Sequence, residues 1–153
     1  MYHFDYAAFI QAETLGGLCT GSLMVDFSNK WGEPDAVSDM DRKFWQIVWR
    51  YENMQITFLN SIATGIGFDV YEGFALPRFF HPTEATQRAG NSRAKILCYL
   101  RDKLVPFSLA ENGKISLENS RAFFSFDEDD DEDKLTRFGI KDALLSGYTL
   151  CHL

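Results

Sequence analysis

A block of seven consecutive acidic residues is the feature of this sequence with the most obvious chemical capacity. A calcium-binding loop of the EF-hand type needs glycine at its sixth position and glutamate at its twelfth. Counted from Asp127, those positions hold Glu132 and Phe138, so the block is not an EF-hand. Three interpretations stay open: a solvated hairpin loop, a contact for a basic surface of another protein, or a weak cation site. The block comprises Asp127, Glu128, Asp129, Asp130, Asp131, Glu132 and Asp133.

The cysteines and histidines form no catalytic or metal-binding pattern. Cys19, Cys98 and Cys151 are widely spaced and contain no CxxC motif, which indicates reduced thiols rather than a disulfide framework. Cys151 and His152 are neighbours, so on a strand they would point to opposite faces, whereas a nucleophile needs its base within hydrogen-bond reach. Glycine motifs that cradle phosphate are absent from the sequence. We therefore predict a non-enzymatic protein with no metal ion and no cofactor.

The distribution of charge argues against nucleic-acid binding. The net charge is −7, from 22 acidic and 15 basic residues. Removing the seven acids of the block leaves 15 acidic residues against 15 basic ones, so no excess of positive charge exists elsewhere. A basic protein partner suits this balance better. The sequence shows no signal peptide and no long apolar stretch, so we expect a cytoplasmic protein without membrane contact.

Two helices are predicted before any strand. Asp5 to Glu13 has apolar residues at helical spacing, with Asp5 as the N-cap. Thr20 is predicted to cap a second helix that ends at Gly32, and together the two helices would form a helical hairpin. The segment between Pro34 and Phe44 is interpreted as a short polar link. The apolar face of the second helix would consist of Leu23, Met24, Phe27 and Trp31.

Apolar residues then alternate with period 2 in residues 45–51, 54–59 and 66–71, which predicts an antiparallel meander. One face of the meander would be buried under the helices, and the other would be open. Val48 and Leu59 would lie on the open face. The same face would carry a mixture of arginine, aromatic and polar residues, which is typical of the centres of protein interfaces. We predict that these residues bind a partner: Arg50, Gln55, Thr57, Asp69 and Tyr71.

The second half of the chain follows a similar order. Residues 72–82 are predicted to form a linker that packs against the fold, because Phe74, Leu76, Phe79 and Phe80 lie within it. Further helices are predicted over residues 83–89 and from Asn91 or Ser92 onward, with Ile96, Leu97, Leu100 and Leu104 on the buried face of the latter. Strands are predicted at residues 107–109, 115–117, 122–126 and 135–140. The sequence thus predicts an α+β fold in which a helical hairpin packed on an antiparallel β-meander occurs twice in tandem, over residues 1–76 and 77–153.

The first half resembles the small modules of the SmpA/OmlA lipoproteins and of the β-lactamase inhibitor protein family. The resemblance rests on Thr20-Gly21, Trp31-Gly32-Glu33-Pro34, Trp49-Arg50-Tyr51 and Phe58. It implies a helical hairpin on an antiparallel sheet, present twice in the inhibitor family, and binding of another protein through an exposed sheet face or a loop. Short acidic chains of this kind include bacterial toxin-immunity proteins, which is an analogy of fold and composition.

From these observations we expect a protein-binding module, in its most specific form an immunity or inhibitor protein that neutralises a basic toxin or enzyme. Two alternatives stay open. One is a small-molecule-binding or hydrolytic domain that uses a cleft between the two halves. The other is a structural subunit that associates with itself through the aromatic linker.

Overall fold

The computed structural model describes residues 1–41, 46–70, 73–109, 115–118, 120–127 and 134–141, without the side chains of residues 40 and 41. The helices are α1 (Tyr6–Ala12), α2 (Met24–Trp31), α3 (Glu84–Ala89) and α4 (Arg93–Asp102). The strands before α3 are β1 (Tyr2–Phe4), β2 (Thr14–Leu15), β3 (Leu18–Cys19), β4 (Ala36–Asp41), β5 (Gln46–Tyr51), β6 (Met54–Leu59), β7 (Ile62–Asp69) and β8 (Phe80–Pro82). The strands after α4 are β9 (Phe107–Leu109), β10 (Ile115–Leu117), β11 (Ala122–Phe126) and β12 (Leu135–Ile140).

Eight of these strands form one antiparallel sheet, in the order β4-β5-β6-β7-β12-β11-β10-β9. Strands β7 and β12 lie at its centre and pair with each other, so the sheet continues through both parts of the chain. The predicted antiparallel α+β architecture is confirmed at this level. The first meander has one strand more than predicted, because β4 occupies the segment interpreted as a polar link.

The alternation of apolar residues decides which face of the sheet is buried. Met54, Ile56 and Phe58 are fully buried, whereas the residues between them are only half-buried. On the neighbouring strands, the Phe68 and Phe138 rings stack with their centroids 4.7 Å apart. Aromatic residues from β1 and α1 pack on this pair, and burial of so many large apolar side chains is the main source of stability.

The helices lie on this same side, which we call the covered face; the opposite side is the open face. Phe9 of α1 contacts Phe68, and Phe27 of α2 contacts Phe58. Helices α3 and α4 adjoin α1, because Thr86 and Tyr99 hydrogen-bond to its first turn. Each helix in the described ranges is too short or too polar to span a lipid bilayer.

The N-terminal helices differ from the prediction. Asp5 caps α1 as expected, since its Oδ1 accepts from the Ala8 N–H at 3.1 Å. However, α2 begins at Met24, and Thr20 does not cap it. The short hairpin β2–β3 lies between the two helices, so the predicted helical hairpin is not confirmed. Leu23, predicted to be on the buried helix face, is instead the N-cap and is 50% exposed.

The second part of the chain follows the prediction more closely. Helices α3 and α4 begin after Thr83 and Ser92, and the four strands have the predicted bounds. The prediction for Leu104 is wrong, because α4 ends at Asp102 and Leu104 is 86% exposed in a left-handed conformation. The linker packs down as expected: Phe79 stacks on Trp31, and β8 pairs in parallel with β1.

Candidate functional site

A row of polar side chains crosses the centre of the open face. Arg50 lies opposite Gln55 in the β5–β6 pair, and Asp69 lies opposite Arg137 in the β7–β12 pair. Gln55 donates from Nε2 to Asp69 Oδ2 at 3.3 Å, and Arg137 Nε lies 3.6 Å from Asp69 Oδ1. Three adjacent strands are therefore joined by side chains on this face. Their positions are set by the strands, which hold binding groups more rigidly than loops do.

Two glycines lie at the middle of this row. Gly67 and Gly139 are opposite each other, so the central strand pair carries no side chain there. The Arg137 guanidinium lies across Gly67, with Nη2 2.7 Å from the point that a Cβ on Gly67 would occupy. The same guanidinium carbon is 6.0 Å from the centroid of the Phe123 ring. Arg137 is thus held between a carboxylate, an aromatic ring and bare backbone.

Of the other predicted residues of the first half, Thr57 and Arg50 lie within the described residues. Thr57 lies opposite Gly65 on the open face, next to a register shift in the β6–β7 pair. Arg50 is exposed, and its Nε donates to the Glu52 carbonyl oxygen at 2.8 Å. Tyr71 lies outside the described residues.

The acidic block begins at Asp127, directly after the end of β11. Of its seven residues, Asp127 is described, and its N–H donates to the Lys134 carbonyl oxygen at 2.8 Å. Ser125, two residues before Asp127, lies opposite Arg137. The connection between β11 and β12 therefore leaves and rejoins the sheet beside the Asp69–Arg137 pair. Residues 128–133, which hold the rest of the predicted site, lie outside the described ranges.

Arg137 and Phe123 are site residues that were missed in the sequence. Both belong to the second half of the chain, and they reach the site only because β12 pairs with β7. The alternation in LTRFGI could have indicated Arg137, since Phe138 and Ile140 are apolar and Arg137 and Gly139 are on the other face. Assigning Arg137 to Asp69 still requires the order of the strands, which alternation does not provide.

The open face carries groups that can form hydrogen bonds and apolar contacts with another molecule. Arginine donates up to five hydrogen bonds in a fixed fork, the amide of Gln55 both donates and accepts, and Phe123 offers an apolar surface. The described histidines lie elsewhere: His3 and His81 are opposite each other on β1 and β8, with ring centroids 6.4 Å apart. This arrangement can bind a polar or charged surface.

A second polar cluster joins the N-terminus to α3 and α4 on the covered side. Asp5 accepts hydrogen bonds from the Tyr99 hydroxyl and from the Thr83 hydroxyl, both at 2.7 Å. Burial opposes ionisation of Asp5, but these hydrogen bonds and that from the Ala8 N–H outweigh it, so the pKa of Asp5 is lowered. Burial and the bond to Asp5 raise the pKa of Tyr99. The hydrogen bonds among Asp5, Ala8, Thr83 and Tyr99 therefore hold the start of α1 to α3 and α4.

An ion pair makes a comparable link at the other end of α1. Glu13 lies 3.1 Å from Arg121, and both side chains are largely buried. Arg121 also donates to the Thr20 hydroxyl, which explains the position of the residue that was predicted to cap a helix. Glu13 itself is in a left-handed conformation, with φ of 52°. This pair connects the end of α1 to the start of β11.

Grooves occur on the helical side. One, with a volume of about 690 Å³, lies along α3 and α4 and is lined in part by Arg88, Lys95, Tyr99 and Lys103. It lies within residues 77–153, so it is not the cleft between halves that a small-molecule site would use. Another, of about 380 Å³, is lined by Leu23, Met24, Val25, Ser28, Trp49 and Ser61.

Comparisons with known proteins found no family model, no curated protein and no solved structure that matches this chain.

Proposed function

We propose that this chain is a non-enzymatic protein-binding module whose open sheet face is its contact surface. The observation that carries the proposal is the row Arg50, Gln55, Asp69 and Arg137, held on adjacent strands of the face opposite the helices. Arginine and aromatic residues are enriched at the energetic centres of interfaces, and Arg137 beside Phe123 supplies both.

The electrostatics supports a basic partner. The acidic block emerges at the end of the sheet that carries Asp69 and Arg137, so its charge would attract a positive surface toward the row. Charge of this kind mainly raises the rate of association and excludes wrong partners. The more specific proposal is an immunity or inhibitor protein in the cytoplasm that neutralises a basic toxin or enzyme.

We also infer that the two halves of the chain are structural repeats. The support is an offset of 78 residues that relates their first elements. It relates His3 to His81, which pair across β1 and β8, and the helix N-cap Asp5 to the helix N-cap Thr83. In each half, two helices precede four consecutive antiparallel strands. A tandem arrangement of this kind is what the resemblance to the β-lactamase inhibitor family implies.

The contact surface is tested by site-specific photocrosslinking in cells. A photoreactive phenylalanine derivative replaces Thr57 on the open face, and in a separate variant it replaces Ala8, which is exposed on α1. We expect the Thr57 variant to form a crosslink to one protein and the Ala8 variant to form none. Crosslinks of equal yield from both positions, or from Ala8 alone, would contradict the proposed surface.

The immunity role has a separate test. A toxin-like gene next to the gene for this chain would supply the partner, and co-expression would rescue growth. Replacing Asp129, Asp130 and Asp131 by serine is expected to weaken binding and to flatten its dependence on salt. Growth rescue and salt dependence that are unchanged by this substitution would show that the acidic block has no role in recognition.

A further inference from the structure

Strand β4 is exposed on both faces of the sheet. Ala36, Val37, Ser38 and Asp39 are all exposed, and Val37 is 57% exposed. The strand is held to β5 by backbone pairing from Ala36 to Asp41. Among the described strands, none pairs with its outer edge. The outer edge of a strand offers backbone N–H and C=O groups, which is the surface that strand addition uses.

An apolar groove lies beside this edge on the covered face. Val37 lies opposite Trp49, so both side chains point to that face. Trp49 lines the groove of about 380 Å³, together with Leu23 and Val25, which are 50% and 53% exposed. Exposed apolar residues scattered singly need no explanation, but here Leu23 and Val25 line one groove with Trp49, the residue opposite Val37.

Acidic residues outnumber basic ones in the segment that contains β4. Residues 26–43 contain five acidic residues and three basic residues, a net charge of −2, and Asp35 is paired with Arg78. Asp39 lies opposite Ile47, which places it on the same face as Val37 and two residues further along the strand. An incoming strand would therefore meet an apolar position and an acidic position two residues apart on one face.

We propose that the outer edge of β4 binds an extended segment of a protein partner as an added strand. The segment would place an apolar side chain beside Val37, toward the groove, and a lysine or arginine beside Asp39. Backbone hydrogen bonds would supply affinity, and the apolar–basic spacing of two residues would supply specificity. This surface is distinct from the open face, so the two proposals succeed or fail separately.

Charge decides between a partner strand and a second copy of this chain. In a parallel pair of two β4 strands Asp39 would lie beside Asp39, and in an antiparallel pair centred on Ser38 it would lie opposite Val37, so neither arrangement gives Asp39 a positive partner. A basic segment does, because a lysine or arginine beside Asp39 neutralises its charge. The occupant is therefore a strand of another protein with basic and apolar residues on one face.

The test uses the full chain and a synthetic peptide, acetyl-Thr-Lys-Thr-Ile-Thr-Lys-Thr-Ile-Thr-amide, and binding is measured by isothermal titration calorimetry. We expect saturable binding that Val37→Asp weakens by about tenfold or more, as loss of a buried apolar contact predicts. Leu109→Asp is the matched control, since Leu109 is a similarly exposed apolar residue on the opposite edge strand β9. It is expected to leave the affinity unchanged.

A charge exchange sharpens the experiment. The variant Asp39→Lys is expected to lose binding to the lysine peptide and to bind the same peptide with glutamate in place of lysine. Hydrogen exchange of the amides of residues 36–39 is expected to slow when the lysine peptide binds the unmodified chain.

Several results would overturn the proposal. They are absence of peptide binding, equal loss of binding in the Val37 and Leu109 variants, and a dimer in sedimentation that Val37→Asp abolishes. The last result would make a second copy the occupant of the edge. Loss of open-face crosslinking would not affect these measurements, so a failure of one proposal is distinguishable from a failure of the other.

Discussion

The two faces of the central strand pair, β7 and β12, differ strongly between neighbouring residues. On the covered face, the Phe68 and Phe138 rings stack nearly parallel, 4.7 Å between centroids. On the open face, Gly67 and Gly139 are opposite each other, and the Arg137 guanidinium lies where a Gly67 side chain would be. The same two strands thus carry a stacked aromatic pair on one face and a position with no side chain on the other.

This contrast separates stability from recognition. A buried aromatic pair contributes several kcal/mol, whereas an exposed ion pair such as Asp69–Arg137 contributes little. Truncating buried side chains of the covered face should therefore cost more stability than truncating side chains of the open face, which under the proposed function should affect binding. The following predictions are given in order of decreasing effect on stability.

Replacing Phe138 by alanine is expected to have the largest effect. Phe138 is fully buried and contacts Phe4, Tyr6 and Phe68, so its loss leaves a cavity at the centre of the core. We expect the free energy of unfolding in urea to fall by about 3–5 kcal/mol. The matched control is Phe123→Ala on the open face, where we expect about 1 kcal/mol or less. Equal losses for the two variants would contradict the division between the faces.

The two glycines are expected to differ in their tolerance of a methyl group. A Cβ on Gly139 would overlap the Ile66 carbonyl oxygen and lie 2.8 Å from the Gly67 Cα, so backbone would have to move. A Cβ on Gly67 would meet only the end of the Arg137 side chain, which can shift. We expect Gly139→Ala to cost about 1–3 kcal/mol in unfolding free energy, as overpacking does, and Gly67→Ala to cost less. The reverse order would show that Arg137 is held more rigidly than the backbone.

Local patterns in the sequence were sufficient for much of the fold. The alternation in β6 and the four strands after α4 follow from side-chain period and turn residues, and they occur where predicted. The start of α2 was not predictable in this way, because Thr20 bonds to Arg121, a residue about 100 positions later. Strand β4 was missed because apolar and polar residues do not alternate in its sequence, AVSDMD, and residues 36–39 are exposed.

The candidate site was predictable only in part, for the same physical reason. Arg50, Gln55 and Thr57 share a face because neighbouring strands of one meander fix their register. Arg137 and Phe123 join them through the β7–β12 pairing, which depends on tertiary structure. Long-range strand order is set by the packing of the whole core, and period alone does not encode it.

Asp5 gives a prediction for pH on the covered side. Its pKa in the folded protein is lowered from its ordinary value of 3.8, so the ionised form stabilises the fold. That stabilisation is fully present above pH 3.8 and is lost as the pH falls through the lower folded value. Asp5→Ala removes the helix N-cap as well, and we expect a loss of about 1–2 kcal/mol at pH 7.

The measurement is the unfolding free energy of both proteins between neutral pH and the acid limit of folding. The gap between them should narrow at acidic pH, because the protonated Asp5 loses its charge-assisted hydrogen bonds. Asp26→Ala serves as the control, since Asp26 is an exposed acidic residue in the first turn of α2. If the difference in unfolding free energy between the original chain and Asp5→Ala does not change with pH, the charge of Asp5 contributes nothing and the side chain acts only as a helix cap.

The smallest effect on stability is expected for Arg137→Ala on the open face. Its ion pair with Asp69 is about half exposed, so we expect a change of at most about 1 kcal/mol in unfolding free energy. If the open face binds a partner, the same variant should abolish most of the photocrosslink from position 57, because Arg137 lies at the centre of the row. Arg88→Ala is the matched control, since Arg88 is an exposed arginine paired with Glu84 on α3. If Arg137→Ala changes neither the stability nor the fold and the crosslink forms in full, Arg137 is not part of the contact surface. Loss of the crosslink with both arginine variants would instead assign the effect to total charge rather than to this face.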